Sequence, residues 1–175
     1  MKSILSALFV VAAATLTLSA PAAAQTFSFT GFMIGANEVS PVVGDPDASA
    51  SAFVAFNTTN QTVTYSLTNI QNLQSNFRFW HIHTGAAGVN GGVIVDFGNT
   101  FSGVDVPYAT VGATVAEVLA ISTNPAGHYF NAHTDDHPGG AIRAQVAAVV
   151  PEAGTLALAG LGLLGSVVVA VRRRK

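Results

Sequence analysis

The chain has 175 residues, a formal net charge of −2 and no cysteine, which excludes a disulfide scaffold, thiol catalysis and any cysteine-based zinc site. Residues 25–150 hold two basic side chains, Arg78 and Arg143, against eight acidic ones, a net charge of −6. A body this acidic does not grip nucleic acid by counterion release, and its length suits a single domain.

Residues 1–24 read as a secretory signal. Lys2 supplies the positive start, and Ile4 to Leu18 form an apolar run too short to span a bilayer comfortably. Ala22-Ala23-Ala24 provides small residues for cleavage between Ala24 and Gln25. Export of the body that follows is the expectation.

The body alternates apolar and polar residues with the period of strands. Thr26 to Phe32 and Ser49 to Phe56 read as strands. Thr62 to Leu67 places Val63, Tyr65 and Leu67 on one face, and Asn57-Thr58-Thr59-Asn60 makes a hairpin connection. Phe77 to His83 and Val93 to Phe97 pair around a glycine-rich turn, and Tyr129 to His133 pairs with Ala141 to Val146. Thr114 to Ile121 breaks the pattern as one short helix, with Val115, Val118 and Leu119 on one face and Asn124-Pro125-Ala126-Gly127 as its stop. The predicted fold is all-β, an antiparallel sandwich of immunoglobulin-like or superoxide-dismutase-like type.

Four of the five histidines fall in two clusters. His81 and His83 lie two apart on a strand, so both point to one face while Trp80 and Ile82 point to the other. His133 ends a later strand, and His137 follows in the turn Asp135-Asp136-His137-Pro138-Gly139-Gly140. An antiparallel arrangement can bring the clusters together around one metal ion, and a set rich in imidazole suits copper or zinc, copper slightly better where cysteine is lacking. The alternative is that these histidines serve as hydrogen-bonding residues of a strand and a solvated turn. No complete catalytic set is present. The glycine-rich stretch Gly85 to Gly92 has no following lysine and reads as a turn, no serine sits in a nucleophile-elbow setting, and Asp45-Pro46-Asp47 offers too few ligands for a calcium loop. Exposed aromatics such as Trp80 and Tyr108 would be the contacts for a carbohydrate partner.

The C-terminus closes with Val150-Pro151-Glu152-Ala153, an apolar stretch, and the basic tail Arg172-Arg173-Arg174-Lys175. The 17 residues from 155 to 171 reach roughly 25 Å as a helix, just short of a hydrocarbon core of about 30 Å. Four terminal cations would hold that transmembrane helix at the cytoplasmic side.

This three-part ending resembles the PEP-CTERM sorting signal, with Ala153 where the second proline of the name would stand. The resemblance implies recognition and cleavage by an exosortase in a Gram-negative bacterium that makes extracellular polysaccharide, with transient anchoring in the inner membrane and final residence at the envelope, surface or matrix. The body is similar to the CHRD domain. Gly35-Ala36-Asn37-Glu38-Val39-Ser40-Pro41 matches its opening, His81-Ile82-His83-Thr84-Gly85 with Gly88-Val89-Asn90-Gly91 its centre, and Tyr129 to Thr134 with His137 to Gln145 its end. That likeness implies an extracellular β-domain acting as a binding or matrix component. A weaker likeness to copper-zinc superoxide dismutase implies His81, His83 and His133 as copper ligands and Arg143 as the residue that steers an anion. The bridging histidine, zinc loop and disulfide of that family are missing.

Overall fold

The structure is a computed structural model that describes residues 25–73 and 76–149. The signal cleavage residue Ala24, the sorting residues Val150, Pro151, Glu152 and Ala153, the predicted helix 155–171 and the tail Arg172 to Lys175 lie outside the described residues. Among the described residues, no helix is long and apolar enough to cross a membrane.

Alternation produces nine strands among the described residues: β1 (Thr26–Ile34), β2 (Ser49–Asn57), β3 (Thr62–Gln71), β4 (Phe77–Thr84), β5 (Val93–Asp96), β6 (Ser102–Pro107), β7 (His128–Thr134), β8 (Ile142–Gln145) and β9 (Ala147–Ala148). All pairings are antiparallel. Hydrogen bonds connect them in the order β5-β4-β7-β8-β1-β2-β3-β6, with β9 also on β1. The sandwich expectation is corrected here, because one continuous sheet curls on itself instead of two sheets stacking. The curl brings β3 and β4, far apart along the path, into contact through the core. The Tyr65 and Trp80 rings meet edge-to-face at 5.9 Å, and Phe97 packs on Trp80 at 4.2 Å.

The inward positions are the apolar ones of the alternation. Phe29, Val54, Phe56, Val63, Trp80, Ile82 and Phe130 are each 0–1% exposed, and burying one such side chain is worth about 1.5–3 kcal/mol. Trp80 and Tyr108 are therefore core residues, which removes the aromatic contacts expected for a carbohydrate. The Trp80 indole donates to Thr100 O at 3.0 Å, and Tyr108 packs edge-to-face on Phe56.

The predicted helix is α1 (Val115–Thr123). Thr114 accepts from the Glu117 amide at 3.3 Å while the Glu117 carboxylate accepts from Thr114 N at 2.8 Å, a reciprocal cap that satisfies two orphan donors. Its buried residues are Val118 and Ile121, whereas Leu119 is 42% exposed, so the packed stripe is turned by about one residue from the expected one. Strand β6 escapes sequence reading because Gly103, Asp105 and Pro107 break its pattern and most of its positions are exposed.

Candidate metal centre

Period two decides the site. On β4, Trp80 and Ile82 point into the core while Phe79, His81 and His83 point outward. On β7, the register pairs His81 with Asn131, His83 with Tyr129 and Phe79 with His133. His133 thus stands diagonally across from His81, within side-chain reach. The outward face here is not wet. His81, His83 and His133 are 8%, 7% and 5% exposed, because the 85–92 and 135–141 turns fold back over them.

One potential ligand atom from each of these three histidines lies within 4.8 Å of the others, with His81 Nδ1 and His133 Nε2 only 3.2 Å apart. The outer nitrogens explain why. His83 Nδ1 faces Gly91 O at 3.0 Å and His133 Nδ1 faces Pro138 O at 3.0 Å. Carbonyls only accept, so both Nδ1 atoms carry the proton. His81 Nε2 lies 3.4 Å from Asp96 Oδ1, which holds its proton on that side. The nitrogens left over are His83 Nε2 and His133 Nε2, which keep their lone pairs, and His81 Nδ1, which lies within hydrogen-bonding distance of His133 Nε2. His83 Nε2 is buried and has no hydrogen-bond partner among the described residues.

Protonation does not relieve this arrangement at neutral pH. Burial pushes all three imidazoles below their usual value, His133 to about 4. The Pro138 carbonyl offsets this in part at His133, Asp96 offsets it at His81, and the Arg143 charge adds to it at His83. Three neutral, buried, convergent imidazoles fit a transition-metal cation by the chemistry of the donor set. They also bind it more weakly as pH falls, because protons compete for the same nitrogens.

The other sequence candidates sit elsewhere. His137 gives its Nδ1 to Val43 O at 2.9 Å and is not one of the three converging residues. His128 turns its Nδ1 to Asn124 O at 2.9 Å. Asp135 anchors the turn through Arg78 and Asn76. Arg143, expected to meet an anion, is 1% exposed. Its guanidinium donates to Asn90 Oδ1 at 2.9 Å, Val89 O at 2.8 Å and Ala86 O at 3.2 Å, and covers the Tyr129 ring at 3.4 Å. Those contacts are a clamp on the 85–92 turn. The physical reason is that a turn with inward carbonyls and no second strand needs a multidentate donor, which arginine supplies.

Sequence reading missed Asp96, Phe79, Tyr129 and the two carbonyls. Asp96 is the residue of β5 paired with His81, and Phe79 stacks on the His81 ring at 4.9 Å. Tyr129 stacks on His83 at 4.8 Å. Phe79 was findable, standing two residues before His81 on the same face. The other contacts depend on register and loop path.

Two glycines permit the cover. A Cβ on Gly91 would come within 1.9 Å of Thr84 O, so only glycine at this position lets the Gly91 carbonyl reach His83. Gly140, at φ +142°, lies against Glu38 and Asn131, where a Cβ would be 2.6 Å from Glu38 Oε1.

Comparison with known proteins agrees with the motif order. The CHRD domain model matches residues 29–146 and the PEP-CTERM protein-sorting motif matches residues 149–175. No curated protein matches the chain, and no solved structure matches it. The sorting motif implies processing by an exosortase-type system and export to the cell envelope or surface. The domain match covers more than half of the chain, and the chain belongs to the CHRD domain family.

Proposed function

We propose that this protein is an exported, exosortase-processed CHRD domain whose role is to bind a transition-metal ion through His81, His83 and His133. The observation that carries the reading is the convergence of three imidazoles whose outer nitrogens are already committed to Gly91, Pro138 and Asp96. Such outer partners fix tautomer and ring orientation in metal sites. No nucleophile, paired acid and base or exposed cation accompanies the three rings among the described residues, so the reading is binding and not turnover. The copper alternative drawn from the dismutase likeness is retained for the ligand set and dropped for the anion-steering arginine.

The test is metal analysis of the full chain after equilibration with copper or zinc, beside His81→Ala and His137→Ala. One ion per chain is expected for the parent and for His137→Ala, with His81→Ala losing roughly 100-fold or more in affinity. Equal loading of the parent and His81→Ala removes the reading. In protein recovered after export, intact mass is expected to end near Pro151.

A further inference from the structure

We propose that the three-imidazole site selects a monovalent soft ion, copper(I), over divalent copper or zinc. This inference rests on the metal-binding reading and adds the charge state of the ion.

The donor set is electrically neutral. No carboxylate or thiolate belongs to the converging group among the described residues. The nearest carboxylate, Asp96, faces the far nitrogen of His81, and its side chain is 58% exposed, so water damps its charge. On the opposite side stands a buried positive charge. The Arg143 guanidinium lies 3.4 Å from the centre of the Tyr129 ring, and the same ring stacks on His83 at an interplanar angle of 10°.

An ion entering this site meets three dipoles, one screened anion and one buried cation. The cost of removing an ion from water grows as the square of its charge, so a dication loses about four times the hydration energy of a monocation of equal size. Anionic ligands offset that cost best; a neutral three-histidine set can still hold zinc(II), and what disfavours a dication here is the buried Arg143 charge behind His83 together with an Asp96 carboxylate that is open to water. Imidazole nitrogen suits copper, whereas the hard monovalent ions require oxygen. The walls agree with a weakly hydrated ion. Phe79 lies over His81 at 4.9 Å and over His133 at 5.0 Å, while remaining 38% exposed itself. It forms an apolar rim where the site meets solvent.

The experiment uses the full chain purified in detergent without oxygen. It is competed against a chromophoric copper(I) chelator and titrated separately with zinc(II) and copper(II). The expected result is one copper(I) per chain, held roughly 100-fold or more tighter than zinc(II) and tighter than copper(II). Phe79→Asp, which places a carboxylate at the rim, is expected to narrow the copper(I)-to-zinc(II) ratio by roughly tenfold or more. Zinc(II) or copper(II) binding as tightly as copper(I) overturns the valence assignment and leaves the metal-binding reading standing. Failure of all three ions to bind overturns both. A ratio unchanged in a folded Phe79→Asp protein overturns the charge argument.

Discussion

The two ends of the curled sheet share one sequence rule and reach opposite outcomes. On β1, β2 and β3 the outward positions are Thr30 and Phe32, Ser51 and Phe53, Thr64, Ser66 and Thr68, and they remain open or half-open to solvent. On β4, β7 and β8 the outward positions include His81, His83, Asn131, His133 and Arg143, and all of these are buried. Every residue of β7 is buried on both faces. The connections make the difference. The turn at 58–61 between β2 and β3 is tight, whereas the segments 85–92 and 135–141 are long enough to fold back over the outer face. A polar outward residue in the first region is solvated surface. The same kind of residue in the second is desolvated and must find a partner, and that necessity builds the site.

The contrast can be broken most strongly in the shared core. Trp80→Ala is expected to cost about 3–5 kcal/mol of unfolding free energy in denaturant titration, while Phe32→Ser, on the open face of β1, should stay within about 0.5 kcal/mol. Comparable losses at both positions would show that the β1–β3 outer face is not free surface.

A smaller effect is expected at the clamp. Arg143→Met keeps the stem and strands the carbonyls of Ala86 and Val89, at a cost of about 2–3 kcal/mol. Hydrogen exchange should rise over residues 85–92 and not over 58–61. Uniform exchange in both turns would deny Arg143 its role.

The smallest effect sharpens the comparison by pH. Glu38 tucks both carboxylate oxygens away without a well-aligned donor among the described residues. Burial raises its carboxyl from 4.5 to about 7, with Arg143, Asn131 and His137 pulling the other way. Between these values the folded state holds the extra proton. The stability from this group is therefore present below pH 4.5 and lost as pH rises through about 7. Glu38→Gln mimics the protonated form. It should change little at pH 5 and add about 1–2 kcal/mol at pH 8, allowing for the solvent that still reaches part of the side chain. A gain of equal size at both pH values would assign the effect to packing.

Much of this was legible in residues alone. Thr114 to Ile121 was legible as a short helix, Asn57 to Asn60 as the hairpin, and His81-Ile82-His83 as two imidazoles on one face, because each depends on contacts within a few residues. The identity of the third converging histidine was half legible. The second cluster offered His133 and His137, the dismutase likeness pointed to His133, and the pairing of Phe79 with His133 is what places that residue beside His81. Arg143 was legible as one of two cations of the body, yet its partners on the 85–92 turn lie more than 50 residues away.

The sequence by itself determined most of the strands, the acidic body, the short helix and which face of β4 carries imidazole, since side-chain period is local physics. Tertiary structure decided that the sheet is a single curled one, that Trp80 is core, that Arg143 clamps a turn, and that three histidines converge under cover. Those outcomes depend on register and on the path of long connections, where the free energy comes from desolvation shared among distant residues and leaves no mark on any one segment.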